Sequence, residues 1–249
     1  MLAIIGGSGL TQLANLDVTR REVVRTPYGE PSGPLTFGRL GGRELVFIAR
    51  HGYGHTIPPH RVNYRANIAA LRNVGAGKVI SVASVGGIRA DLAPGSLVVP
   101  DQIIDYTWGR HSTFFDGHDG QVKHIDFTEP YDFDLRRRLL EAARLAGEAV
   151  VDGAVYAATQ GPRLETAAEI NRMERDGADV VGMTGMPEAV LAREAGLAYA
   201  ALNVVVNHAA GRGASAHGIE MSAIEAMLQE AMMRVRHLLE RLCEEGVCP

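Results

Sequence analysis

The chain has little cysteine, no excess of basic residues and no long hydrophobic run. Its cysteines, Cys243 and Cys248, are too few and too close to the end for a zinc-ligand set or a disulfide framework, and they read as incidental thiols near a frayed C-terminus. Lys and Arg number 25 against 29 Asp and Glu, a net charge of −4, so the basic face of a nucleic-acid binder is missing. Apolar stretches break off well before the length of a membrane span, and the first residues carry no charged segment leading into a long apolar one. The expectation is a soluble, cytoplasmic protein without nucleic-acid or membrane partners. No Pro/Ser-rich linker or shift in composition divides the chain, which implies one domain over residues 1–249. Neither G-x-G-x-x-G nor G-x-x-x-x-G-K-[ST] follows the first apolar run, so neither a dinucleotide nor a nucleoside triphosphate is specifically indicated.

What is present alternates. Strand-like apolar runs at 45–49, 78–82, 96–99, 154–158, 180–183 and 197–206 are separated by segments with helical periodicity at 63–73, 135–146 and 165–175. That order predicts an α/β fold with a central mixed, largely parallel sheet flanked by helices. Pro187 and Glu188 suit the start of a further helix, and Gly196 its end. A last helix over 220–244 gathers Ile224, Met227, Leu228, Met232, Val235, Leu238, Leu239 and Leu242 on one face, which reads as core packing. Residues 107–127, aromatic and His-rich without a period, read as a long loop of functional or interfacial use.

Three stretches carry chemistry. MLAIIGGSGL runs a short strand into glycines that let backbone N–H groups approach an anion, with the Ser8 hydroxyl beside them. A second strand ends at Arg50 and His51, where ligands of open α/β sheets collect. His51, His55 and His60 lie close in sequence, yet no acid or cysteine accompanies them and Pro58-Pro59 keeps His55 and His60 off a common helical face. The expectation is no metal, and an oxyanion bound by Arg50 and His51. In SVASVGG a third strand runs into Gly86-Gly87, again exposing backbone N–H groups.

The segments IIGGSGL, ARHGYGHTIPPHRVNYRANI, GGIRADLAPG, QGPRLETAAEI, GADVVGMTGMPEAVLAREAGL and VNHAAG resemble, in order and over essentially the whole chain, the trimeric purine nucleoside phosphorylase and 5′-methylthioadenosine phosphorylase family. The resemblance implies a homotrimer or a dimer of trimers, no metal or organic cofactor, and inorganic phosphate as co-substrate beside a nucleoside. It assigns phosphate to Ser8, Arg50, His51, the backbone around Ser84, and Thr184, with Ala83 standing where methylthioadenosine phosphorylases usually offer a threonine hydroxyl. Met183 matches the methionine beneath the ribose, and Leu164 replaces the phenylalanine that relatives stack on the base. Glu165 matches the glutamate that accepts from N1–H of a 6-oxopurine, and Asn207 stands where methylthioadenosine phosphorylases place an aspartate, so its amide is expected to donate to N7 and O6. Asn207, Glu165 and His51 are thus the expected catalytic groups.

An ungapped count puts Met221 where inosine-cleaving relatives have a histidine. Met221 and Ile224, in apolar surroundings, suit a 5′-methylthio group, although a shift of a few residues brings in His217 for a hydroxyl. His124 matches the histidine that reaches a neighbouring subunit's pocket. The implied reaction is phosphorolysis of a purine 5′-methylthionucleoside, with 6-oxopurine as the base. The alternatives are an inosine/guanosine phosphorylase, a 5′-methylthioadenosine phosphorylase with an altered base site and, from another class, a non-catalytic purine- or phosphate-binding module.

Overall fold

Apolar residues at nearly every position make Leu2–Gly6 (β1) a strand buried on both faces, and the same holds for most of Arg43–Ala49 (β4), Lys78–Gly87 (β5) and Ala198–His208 (β11). These four form the centre of an eleven-stranded mixed sheet in a computed structural model that describes residues 1–117, 120 and 122–244. Its other strands are Asp17–Glu22 (β2), Leu35–Leu40 (β3), Leu97–Val99 (β6), Gln102–Asp105 (β7), Val150–Asp152 (β8), Val155–Ala158 (β9) and Val180–Gly182 (β10). The main path runs β2-β3-β4-β1-β5-β10-β9-β7, while β11 pairs with β5 and β6, and β6 with β8. Pairings of β1 with β4 and β5, of β11 with β5 and of β9 with β10 are parallel, and those of β10 with β5 and of β2 with β3 are antiparallel, so the sheet is mixed as expected.

The helices are Tyr64–Asn73 (α1), Phe133–Leu145 (α2), Ala167–Arg175 (α3), Gly185–Glu194 (α4) and Met221–Glu244 (α5). Their starts are written locally. Asn63 and Asp132 accept the N–H groups of Ala66 and Leu135, and Thr166 with Glu169 forms a reciprocal capping box. Alternation along the central strands sends Val79, Tyr199 and Val205 to one face, where Ile68 and Leu71 of α1 and Leu191 of α4 cover them. Ile80, Val82, Leu202 and Val204 face the other way, against Leu139 of α2 and Val235, Leu238 and Leu239 of α5.

Two expectations about the C-terminal helix are corrected. Cys243 is fully buried in the second core layer, because the helix continues through it and turns it toward Leu239 and Leu242; it is no incidental thiol at a frayed end. Cys248 lies outside the described residues. The apolar stripe also divides. From Ala231 onward it is core, whereas Ile224, Met227 and Leu228 are only partly buried, Ile224 and Leu228 lining a cleft.

Candidate active site

Along one edge of β5 the partner strand changes. Parallel pairing with β1 ends at Ile5↔Ser81, and antiparallel pairing with β10 begins only at Gly86. The edge between them, where β1 has turned away into its glycine loop, opens a cleft of about 850 Å³, within the size range of small-molecule sites. Ser8, Arg50, His51, Ser84, Leu164, Glu165, Met183, Thr184, Asn207, Met221 and Ile224 all line it. Residues spread over most of the chain therefore meet at one switch point of the sheet.

The glycine loop fits against the buried arginine. A Cβ on Gly7 stands 2.7 Å from Arg50 Nη1 and 2.6 Å from the Val82 carbonyl oxygen, so only glycine allows this approach, and Gly9 adopts φ +77. Arg50 is fully buried. It does not present its fork to the cleft: Nε and Nη2 donate to Glu188 at 2.6 and 2.9 Å, Nη2 also to Ser81 Oγ at 2.6 Å, and Nη1 to the Val82 carbonyl at 3.0 Å. Of five N–H groups one remains, on the Nη1 that faces Gly7. Burial opposes the Arg50 charge, but the Glu188 carboxylate more than offsets it and holds the pKa above its ordinary value. Glu188 lies in the first turn of α4, as expected of an acid at a helix start, and is there also a buried anchor that accepts from Ser81 and Tyr199.

His51 donates from Nδ1 to the Ile57 carbonyl at 2.8 Å, since a carbonyl can only accept. Its free Nε2 is thus an acceptor in the neutral ring. Burial first, and then the neighbouring Arg50 charge, lower its pKa to about 4, which keeps the ring neutral near pH 7. The His55 ring lies 4.7 Å from that of His51, with Nε2 3.5 Å from Ser8 Oγ, and its pKa is lowered by burial. His55 lines the same cleft; sequence reading weighed it only as a metal ligand. Among the described residues no group of three or more His, Cys, Asp or Glu is placed to hold a metal ion.

On the far wall, Glu165 accepts from the Thr159 hydroxyl at 2.7 Å through Oε1, leaving Oε2 for a ligand. Thr159 was not anticipated, because its partnership with Glu165 depends on the turn between them. The register of β11 shifts between Val205 and Asn207. Past that shift, Asn207 Nδ2 donates to the His208 carbonyl at 2.6 Å, so the amide keeps one N–H and its oxygen rather than both N–H groups expected for a base. Gly161 lies directly on Met183, since a Cβ there falls 2.4 Å from its Sδ. Tyr156, fully enclosed beneath this wall, accepts the backbone N–H of Thr184 at 3.2 Å. Ile219 joins Met221 and Ile224 at the apolar end, whereas His217 is exposed and outside the cleft. His124 is likewise exposed and does not line the cleft of its own chain.

A family profile described as the phosphorylase superfamily matches residues 1–244. The chain belongs to that superfamily. This phosphorylase is 52% identical to a Xanthomonas campestris pv. campestris protein named probable S-methyl-5′-thioinosine phosphorylase, over 97% of this chain and 96% of that one. It is 44% identical to a Thermococcus kodakarensis protein named probable 6-oxopurine nucleoside phosphorylase, over 100% and 95% of the two chains. Its fold matches the methylthioadenosine phosphorylase of Schistosoma mansoni in complex with adenine with a TM-score of 0.93, at 32% identity and covering 99% and 92%. The phosphorylase is thus an enzyme of the pentosyltransferase type. No helix among its described residues is long and apolar enough to cross a membrane.

Proposed function

We infer that this phosphorylase converts S-methyl-5′-thioinosine and inorganic phosphate to hypoxanthine and 5-methylthioribose 1-phosphate. The observation that carries the reading is the joint placement of Glu165 and Asn207 on a cleft that also holds Arg50, His51 and Ser8. A 6-oxopurine offers N1–H to the free oxygen of Glu165 and accepts at N7 from the remaining N–H of Asn207. Adenine bears a lone pair at N1 and meets that carboxylate badly. The names of the Xanthomonas and Thermococcus relatives, one a methylthioinosine and one a 6-oxopurine phosphorylase, support the same base.

In the reaction the C1′–N9 bond breaks, the purine leaves with the bonding pair, a phosphate oxygen forms the new bond to C1′, and the proton that hydrogen phosphate loses ends on the purine to give hypoxanthine. Met183 lies under the ribose. Phosphate binds beneath it, on the free N–H of Arg50, the hydroxyls of Ser8 and Thr184 and the backbone near Ser84. Nε2 of His51 accepts a hydrogen bond from a P–O–H group, so the phosphate oxygens without hydrogens turn toward the sugar. Its negative charge then stabilises the cationic character that grows on the ribose, while Asn207 meets the charge that grows on the purine.

Ile219, Met221 and Ile224 form an apolar end suited to a methylthio group, and the exposed position of His217 outside the cleft supports that choice over a 5′-hydroxyl. On this reading the enzyme is a cytoplasmic homotrimer of purine salvage that needs neither metal nor organic cofactor. His124 of each subunit reaches the 5′ end of a neighbour's sugar, which agrees with its position outside its own cleft. The test is hypoxanthine release from S-methyl-5′-thioinosine and from inosine, each with and without phosphate. Phosphate-dependent release, faster from the methylthio compound, is expected; release without phosphate, or preference for inosine, overturns the reading.

A further inference from the structure

One side chain of the long segment between β7 and α2 has bonding that the reaction above leaves without a task. Arg110 carries five N–H groups, and all of them go to uncharged oxygens. Nε donates to Gln160 Oε1 at 3.2 Å. Nη1 donates to the backbone carbonyls of Met183 at 2.8 Å and Met186 at 2.6 Å, and Nη2 to those of Thr159 at 3.2 Å and Gln160 at 2.8 Å. The Tyr64 hydroxyl is 3.4 Å from Nη1, and the guanidinium carbon stands 5.6 Å from the centroid of the Tyr64 ring. An arginine so placed recognises no anion. Its planar, forked donor set instead matches a fixed array of carbonyls.

Those carbonyls belong to two separate segments. Thr159 and Gln160 lead through Gly161 and Pro162 to Leu164 and Glu165, the base-side wall. Met183 to Met186 carries the methionine and threonine assigned to the sugar and phosphate. The two touch where Gly161 lies on the Met183 side chain. The peptide between Met183 and Thr184 is held at both ends, its carbonyl by Arg110 and its N–H by Tyr156. The loop that brings Arg110 here is itself fastened: Thr113 and the backbone N–H of Phe114 donate to Glu194 of α4, and Arg65 of α1 pairs with Asp116 at 2.8 Å.

We propose that Arg110 is a positioning residue that sets the spacing between the base-reading wall and the sugar–phosphate wall of the cleft. It touches no reacting atom; it acts through Glu165 and Met183, and which parts of the substrate those two meet rests on the function inferred above. A nucleoside bridges both walls, so loss of the clamp misaligns C1′ relative to phosphate. Of the groups assigned to phosphate only Thr184 lies in a clamped segment; Arg50, His51 and Ser8 stand on the side the clamp does not reach.

Arg110→Lys keeps the charge and the aliphatic stem but lacks the fork. In this variant kcat with S-methyl-5′-thioinosine should fall about 10²-fold and the nucleoside KM should rise, with a smaller rise in the phosphate KM through Thr184 alone. Backbone amide exchange in the variant should speed up together in 159–165 and 183–186, and not in 5–10 or 50–57. Guanidinium ion should restore part of the activity of Arg110→Ala, and ammonium should not. Where Arg110→Ala does not fold, the lysine variant and its exchange pattern decide. Unchanged nucleoside kinetics in a folded Arg110→Lys, a phosphate KM rising as much as the nucleoside KM or more, or exchange that rises in one segment alone or everywhere overturns the proposal. The exchange measurement needs no substrate. A paired rise in an enzyme that ignores S-methyl-5′-thioinosine upholds the clamp and removes the substrate, whereas turnover of that nucleoside with unaltered exchange in the variant does the reverse.

Discussion

Replacing Glu188 with Gln tests whether the phosphate-side arginine depends on a buried partner. Arg50 and Glu188 are 0% and 1% exposed, and the carboxylate accepts four hydrogen bonds, two from Arg50 and one each from Ser81 and Tyr199. Glutamine retains one acceptor oxygen and turns an NH₂ group toward donors, so the guanidinium loses its charge partner and half its fork. Breaking one side of a buried pair costs roughly 3–5 kcal/mol. For a chain of this length each kcal/mol lowers Tm by about 2–4 °C, so a fall of roughly 6–20 °C is expected. Urea unfolding at pH 7.5 measures the free energy directly, and the phosphate KM of the folded fraction should rise as Arg50 loses its orientation. The double variant Arg50→Met with Glu188→Leu should regain much of the stability while losing phosphate use, since an apolar pair leaves no charge unpaired. A loss in Glu188→Gln of less than about 1 kcal/mol, the scale of an exposed pair, refutes the reasoning.

Asn207→Asp should narrow the preference for 6-oxopurines, because a protonated carboxyl donates to N7 while accepting from an adenine 6-amino group; an unaltered ratio of rates for the two bases removes Asn207 from base reading. His51 supplies a pH dependence of stability. It titrates near 6.5 when unfolded and at about 4 when folded, so the unfolded chain binds the extra proton and stability falls as pH drops from 6.5 toward 4. That contribution amounts to about 3 kcal/mol at its full extent, and His51→Gln should flatten the difference between unfolding at pH 7 and at pH 4 by that order. Equal pH slopes in the two proteins contradict it. Co-refolding inactive His124→Ala with inactive Arg50→Ala should restore activity if His124 serves a neighbour's cleft, and each site built from one chain restores none.

The fold was legible where the periodicity is strong and local. The runs at 45–49 and 197–206 became β4 and β11, and the periodic segments at 63–73 and 165–175 became α1 and α3, with small shifts at their ends. The strand DVTRRE was not read, because every one of its residues is exposed and charge dominates its pattern; only pairing with β3 makes it a strand. The candidate residues drawn from contiguous motifs, Ser8, Arg50, His51, Met183, Thr184 and Asn207 among them, all line one cleft. What stayed hidden are their partners. Glu188 lies 138 positions from Arg50, and Arg110 lies 73 from Met183. Such separations are closed by sheet topology, which no local pattern encodes. Cys243 was misread for the same reason, since its burial depends on where the end of α5 packs.

The central claim is that Glu165 and Asn207 read a 6-oxopurine, and the most direct measurement is kcat/KM for S-methyl-5′-thioinosine against 5′-methylthioadenosine, side by side with the wild-type enzyme at saturating phosphate. Each buried polar group left unpaired by adenine costs roughly 1–3 kcal/mol, and mismatches of this kind reach ~10⁴-fold in discrimination. A ratio of several orders of magnitude in favour of S-methyl-5′-thioinosine is the expected result. Equal rates, or faster cleavage of 5′-methylthioadenosine, contradict it.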